Sequence, residues 1–325
     1  MGTVVITPDA LSKSAAKYRR EILMMPVFAL NEFLQHVSLR TGIRYSETVG
    51  QMSGSMELGP YSETRIDNDD VKIVGRTLYT YFGSVVKKFS PNSVYQSIYG
   101  NAITKGEGLK NVEITREVLN FLAKKVGDSL YWNMWNAVRN DEGTKTKDLF
   151  NGFDTITTTE MAGQNAGISV GNGNLLQLDE KIDSTNAVDI LKSIWRSADP
   201  MLQREKCKLF VAPSILDAYN DDYKATTGAI AYNTQFKQTF VEGSENRCEI
   251  VALANKADSP YIHLTTKQNM LVGVNQKGEE ETVAVEKHEA FVLQFIMTAF
   301  FGCQFETISK ERLLVASLKT GKTGD

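Results

Sequence analysis

The chain has 325 residues, enough for two domains or one large, elaborated one. Its 42% hydrophobic and 23% charged content is that of a soluble folded protein. A net charge of -3 argues against a dedicated nucleic-acid binder, which carries a basic excess.

Cys207, Cys248 and Cys303 are far apart with no CxxC pair. They are expected to be buried small hydrophobes in a reducing cytoplasm, not a disulfide framework or zinc site. The first twenty residues lack the basic start and apolar core of a secretory signal. The strongest apolar run, Phe291 to Phe305, is too short to span a bilayer, and Gln294 and Gln304 interrupt it, so no membrane partner is expected.

In chain order, Thr7 before Pro8 opens a helical pattern that runs to about Arg40 with a break at Pro26. Residues 1–45 hold six Lys and Arg against three Asp and Glu, which leaves +3 there and -6 over the remainder. Residues 1–50 are therefore expected to form an extended or helical N-terminal arm that carries the basic residues Lys13, Lys17, Arg19 and Arg20. Gly50 to Asp70 reads as loop. VKIVGRTLYTYFGSVVKKF (Val71 to Phe89) has strand composition, with bends or bulges expected at Gly75 and Gly83. A turn at Ser90 to Ser93 then leads to a second short strand. A two-stranded ribbon alone is marginal in water, so this one needs a partner surface.

Ile114 to Asn140 is the longest helical pattern. Val118, Leu122, Val126, Leu130, Met134 and Val138 form a stripe that winds slowly around an axis roughly 35–40 Å long. Gly127 lies within it and costs ~1 kcal/mol relative to Ala, so packing has to overrule propensity there. Loop and short strands are expected from Asn140 to about Thr159. From Ser184 helix and strand alternate: a helix with Ala187, Leu191, Ile194 and Ala198 on one face, the strand CKLFVAP, a short helix opened by Pro213, and the strands CEIVALA, YIHLT and NMLVGVN. NMLVGVN and TVAVEKH read as a hairpin across Asn275 to Glu279. Phe291 to Phe305 alternates with period two, giving a strand of roughly 45 Å that Gly302 is expected to bend. It is expected to pack on the long helix. A short strand and a polar tail close the chain.

Motifs of chemistry are weak. His36, His263 and His288 have no ligand-spaced partner and read as structural. Gly321-Lys322-Thr323 lacks the earlier glycine of a phosphate loop, where Ala316 stands. RIDNDDVKIVG lacks a calcium loop's third ligand and its glycine, and Gly171-Asn172-Gly173 lacks the third glycine of a dinucleotide fingerprint. No catalytic, metal or cofactor site is read from the sequence, and no cofactor is expected.

The order of parts resembles the major capsid proteins of tailed bacteriophages with the HK97 fold. The stretches that carry the likeness are VKIVGRTLYTYFGSVVKKFSPNSVYQSIYG, ITREVLNFLAKKVGDSLYWNMWNAVRN, LFNGFDTI, LFVAPSILDAYNDDY and VEKHEAFVLQFIMTAFFGCQFETISKERLLVAS. The texture is most similar to phages or prophages of gut Bacteroides-type bacteria. The resemblance implies an α+β fold with five parts: an N-terminal arm (1–50), an extended β-ribbon or E-loop (51–105), a peripheral domain with a spine helix at 114–140 (106–183), an axial α/β domain (184–280), and a return to the peripheral domain with a C-terminal tail (281–325).

It further implies hexamers and pentamers of an icosahedral shell around double-stranded DNA, without sequence-specific DNA contacts and without catalysis. Assembly is expected in the bacterial host cytoplasm, with a separate scaffolding protein and a portal as partners, and residence in the virion capsid. Tyr79, Tyr81 and Phe82 are the candidate intersubunit contacts, with packing inside one subunit the alternative. Deleting Ser53 to Phe89 is expected to leave a soluble core that makes no shells. An encapsulin-like bacterial shell is the alternative within the same class. An α/β enzyme or ligand-binding protein using residues 184–285 is the alternative outside it, and a cleft of convergent polar groups with perturbed titration would favour it.

Overall fold

The computed structural model describes residues 22, 26, 30–53, 61, 72–89, 114–163, 166–227, 239–275, 283–289 and 292–319. The arm before Leu30, apart from Ile22 and Pro26, lies outside them. So do the turn and second strand expected after Ser90 and the motifs at 62–71 and 320–325.

The chain enters through helix α1 (Asn31–Leu34) and strand β1 (Ser38–Thr41), so the helical pattern stops short of Arg40. Strands β2 (Ser46–Ser53) and β3 (Lys72–Tyr79) pair antiparallel as a ribbon. Gly50 to Ser53, expected in a loop, are therefore strand. β4 (Tyr81–Phe89) follows after a single residue, Thr80, yet pairs with the distant β11 (Val292–Phe305) and not with β3. The break in the strand-like tract falls at Thr80, and neither Gly75 nor Gly83 interrupts its strand.

Helix α2 (Ile114–Asn133) is followed by α3 (Phe153–Met161), which takes up residues expected as loop and strand. α2 ends seven residues before Asn140 for a local reason. The carbonyls just past its end are claimed by the start of the next helix: Gly152 N–H donates to Ala137 O, Phe153 N–H to Met134 O and Asp154 N–H to Trp135 O, at 2.8, 3.2 and 2.9 Å. A Cβ on Gly152 would stand 2.3 Å from the Trp135 oxygen, so only glycine admits this crossing. Asn133 also donates its side-chain amide back to Ser129 O at 2.7 Å, which closes the last turn. The buried line on α2 is Leu119, Ala123, Gly127 and Leu130, continued by Met134 just past its end, while Leu122 and Val126 flank it and Val138, beyond the helix, is exposed. This is the 3.6-residue face of a straight helix, not a strict step of four.

β5 (Leu175–Leu178), α4 (Ala187–Arg196), α5 (Pro200–Arg204), β6 (Cys207–Val211), α6 (Pro213–Thr227), β7 (Cys248–Ala252), β8 (Tyr261–Thr266) and β12 (Leu313–Leu318) build the second half. Their strands form a sheet in the order β5-β12-β8-β6-β7. Alternate residues bury both faces. Leu209, Val211, Leu264, Leu314 and Ala316 meet α4 and α6, while Phe210, Leu313 and Val315 join the core around Trp135 and Phe153. Ala187, Leu191, Ile194 and Ala198 are all buried, as their spacing requires. Asp222 in α6 accepts the Val188 N–H at 2.8 Å and so caps the first turn of α4 from another helix. The three cysteines are free and buried, and Cys207 and Cys248 are register partners across β6 and β7.

The other sheet runs β1-β9-β11-β10 with β4 on the opposite edge of β11, where β9 is Met270–Asn275 and β10 is Val283–Glu289. The hairpin expected between β9 and β10 does not form. β9 pairs with Phe300 to Phe305 and β10 with Val292 to Met297, so the two lie end to end along one edge of β11. The hairpin is instead β10–β11. β11 continues through Gly302 without a break.

Candidate functional site

β11 has two unlike faces. On one, Leu293, Phe295 and Met297 are buried with Val283 and Val285 of β10 under Leu119 and Ala123 of α2, and Ile22 joins the same cluster. This is the helix-on-sheet layer that the periodicities of α2 and β11 imply. On the other face two regions differ.

Toward the C-terminal end of β11 the root of the β2–β3 ribbon covers the sheet. Gly273 and Gly302 are register partners on β9 and β11, and both make room for the root. A Cβ on Gly273 would lie 2.8 Å from Thr80 Cγ2, and one on Gly302 only 1.9 Å from the Tyr79 carbonyl oxygen. Thr80 N–H donates to Tyr45 O at 2.8 Å, and Ile43, Val49, Leu78 and Leu271 form a small core beneath. Tyr45 turns the chain into the ribbon with φ 69° and packs its ring edge-on to Phe300 at 5.2 Å. With both faces covered, Phe300 to Cys303 are all buried and the alternation along β11 lapses.

Nearer the β10–β11 hairpin the same face is only partly covered, with Ala284 and Ile296 half-buried. Val86, Ile296 and Ala284 form one row across β4, β11 and β10. Val86 is 58% exposed and Phe82, whose ring is 4.9 Å from that of Phe300, is 46% exposed. A polar row of Lys88, Gln294 and Glu286 borders it. Val86 and Phe82 are the exposed apolar side chains of this face, which makes it a candidate for contact with a partner. The outward face of α2 adds Phe121 and Trp132, 54% and 56% exposed.

The three contact candidates do not share one surface. Phe82 packs on Phe300 and is exposed, whereas Tyr81 points to the opposite face of β4 under the Arg139 guanidinium, 4.3 Å from its ring, with the exposed Tyr79 ring stacked on it at 6.5 Å. Burial raises the Tyr81 phenol above its usual value. Val86 and Ile296 were not singled out from the sequence, because only the pairing of β4 with β11 shows which side of each strand is left partly uncovered.

The polar centre that an enzyme reading needs is also present, and its atoms face one another. Lys256, fully buried, donates to Ser259 Oγ at 2.8 Å, His263 Nδ1 at 3.1 Å and Asp154 Oδ1 at 3.3 Å, with its ammonium 3.7 Å from the Trp135 ring. Thr157 donates to Phe153 O, so the 2.9 Å contact to His263 Nε2 has the imidazole as donor. His263 is thus neutral, with its proton on Nε2. Burial and the neighbouring ammonium hold it well below the usual histidine range. Burial raises the Asp154 carboxyl and lowers Lys256 to about 8. A cavity of about 270 Å³ opens beside them between Trp132, Asp154, Thr158 and Tyr261. Lys256 spends three donors and His263 both ring nitrogens inside the cluster. It joins α3 to the second sheet and offers a substrate none of those atoms. His36 packs edge-on against Phe210 and accepts from Lys208 at 3.0 Å. His288 faces Glu289 at 3.3 Å. Among the described residues no group of His, Cys, Asp and Glu is placed to hold a metal.

No protein-family model matches the sequence, and no curated protein matches it. Solved structures do match. The structure described as the satellite phage P4 procapsid including the size determination (Sid) protein is 9% identical, with TM-score 0.57 over 90% of this chain and 98% of that one. The capsid of the native GTA particle is 11% identical, with TM-score 0.54 over 98% and 93%. A structure from Mycobacterium phage Bobi is 10% identical, with TM-score 0.52 over 89% and 91%.

The chain has the HK97-type capsid fold. The likeness covers 89–98% of this chain and 91–98% of each of those chains.

Proposed function

We propose that this chain is the major capsid protein of a tailed phage, closing as hexamers and pentamers into an icosahedral head around double-stranded DNA. What carries the reading is the match in fold over 90% of this chain and 98% of a procapsid chain. The exposed Val86 and Phe82 on one face of β4 support it, because a single subunit leaves these apolar side chains in water. The five parts that the sequence resemblance implies are proposed with the limits the strand pairings suggest: the ribbon takes in Ser46–Ser53 and Lys72–Tyr79, β4 and β9 go with β11 in the peripheral part, and β5 and β12 join the axial sheet from outside residues 184–280.

Phe82 and Val86 on one face of β4, and the exposed Tyr79 ring stacked on Tyr81, are the proposed contacts to a neighbouring subunit. Tyr81 is held by Arg139 of its own chain. The protein acts by binding and has no catalytic role in this reading. A separate scaffolding protein and a portal complete the set of partners. Assembly takes place in the cytoplasm of the bacterial host, of the Bacteroides type to which the sequence resemblance points, and the product resides in the virion. The net charge of -3 suits a wall that does not grip packed DNA everywhere.

The test is a ribbon deletion, and the structure moves its limits. Removing Ser53 to Phe89 would strip β4 from β11 and Phe89 from the α2 core, so it would unfold the subunit. Replacing residues 51–74 by an Asn-Gly turn leaves the root and β4 intact. A folded subunit that no longer makes shells supports the reading. Shells in unchanged yield refute the assembly role of the ribbon.

A further inference from the structure

The β2–β3 ribbon changes character at one rung. On the body side are Ser46–Tyr79, Glu47–Leu78, Thr48–Thr77 and Val49–Arg76. Val49 and Leu78 are buried against Ile43 and Leu271. Arg76, with 15% of its side chain exposed, reaches off the ribbon to the body of the subunit. One terminal nitrogen donates to Glu160 Oε1 of α3 at 2.7 Å and to Gln304 Oε1 of β11 at 3.2 Å. Gln304 returns a bond from Nε2 to Thr77 O at 3.4 Å. Three elements are thereby tied at the last rung before the ribbon leaves the body.

The next rung is Gly50–Gly75, and beyond it come Gln51–Val74, Met52–Ile73 and Ser53–Lys72. Neither glycine is among those with positive φ, so the backbone does not demand glycine at either place. What the two glycines remove is the cross-strand side-chain pair, which is the stabilising unit of a two-stranded ribbon.

We propose that the Gly50–Gly75 rung is the elbow of the ribbon, and that Arg76 is the positioning residue that fixes the root side of that elbow to the subunit. The inference rests on the reading of the ribbon as an assembly element, and it adds where the ribbon changes angle. The rung without side chains bends, and the clamp one rung earlier keeps the bend from spreading into the Gly273–Gly302 seat. A ribbon built so can meet neighbours at more than one inclination while its root stays in register.

Hydrogen exchange on unassembled full-length subunits tests the elbow without requiring shells. In the wild type, amides of 51–53 and 72–74 are expected to exchange about tenfold faster than those of 46–49 and 76–79. Arg76→Ala should bring the root-side amides up to the outer rate, and Arg76→Glu combined with Glu160→Arg should restore the step. Gly50→Thr with Gly75→Ala should slow the outer rungs to the root rate and reduce the yield of closed shells. Equal rates on both sides of the rung in the wild type, or a step that Arg76→Ala leaves in place, would overturn the proposal. So would full shell yield from the stiffened variant. Failure of the wild type to form shells overturns the capsid reading instead, and is told apart because exchange is read on free subunits.

Discussion

The carbonyl oxygen of Tyr79 occupies the place a side chain on Gly302 would take: an added Cβ would stand 1.9 Å from it. Residues more than two hundred apart in sequence are thus in backbone contact, and this contact seats the ribbon on the long strand. Gly302→Ala cannot be relieved by a rotamer change, since the clash is with main chain. It is expected to lower stability by ~3 kcal/mol or to prevent folding. Thermal unfolding of Gly302→Ala beside Gly171→Ala, whose Cβ would meet nothing closer than 3.9 Å, separates the seat from a general effect of losing glycine.

Lys256 and Asp154 test the buried joint. Lys256→Met leaves the Asp154 carboxyl buried without its cation and is expected to cost ~3–5 kcal/mol. Adding Asp154→Leu should recover most of that loss, because the pair is then replaced by apolar packing. Denaturant unfolding of both single variants and the double variant measures the coupling. Additive losses would show that the two groups do not depend on each other.

His263 sets a pH dependence of known sign. Its folded value is depressed well below 6.5, so below about pH 6.5 the unfolded chain takes a proton that the folded chain refuses. Its contribution therefore falls as the pH drops from 6.5 toward the folded value. His36, also depressed by burial and Lys208, acts in the same direction. Asp154, raised by burial, acts in the opposite one. His263→Gln keeps an acceptor for Lys256 and a donor for Thr157 while removing the titration. Melting temperatures between pH 7 and 5 should fall less steeply for the variant than for the wild type. Equal slopes would contradict the neutral assignment of His263.

Val86 and Phe82 test the partly covered sheet face. Val86→Lys puts a charge on a side chain that is 58% exposed and should change stability by no more than about 0.5 kcal/mol. Phe82→Asp removes a ring that also covers Phe300 and should cost somewhat more. Both are expected to abolish assembly. Light scattering of the folded variants reads this, and shells from Val86→Lys would place the contact elsewhere.

The periodic elements were legible because their residues meet neighbours on one side only. The face of α4 and the alternation of β11 from Leu293 to Met297 stand in the sequence as they stand in the fold. Where β11 is covered on both sides, at Phe300 to Cys303, the period of two disappears. The end of α2 was misplaced because Met134, Trp135 and Ala137 are good helix residues, and their carbonyls are drawn off by Gly152, Phe153 and Asp154. Local propensity carries no trace of that competition. The pairing partners of β3, β4, β9 and β10 were equally hidden, since each is chosen by residues far away in the chain. Of the contact candidates, Tyr79 and Phe82 are exposed. Tyr81 lies under Arg139, a residue 58 positions later that no strand pattern could indicate.

The central claim is that this chain is a shell subunit. Negative-stain microscopy of the purified full-length protein at micromolar concentration, with sedimentation velocity on the same sample, tests it most directly. The account predicts rings of five and six or closed icosahedral shells. A compact monomer that stays monomeric across that range, with the β2–β3 ribbon ordered, would contradict it.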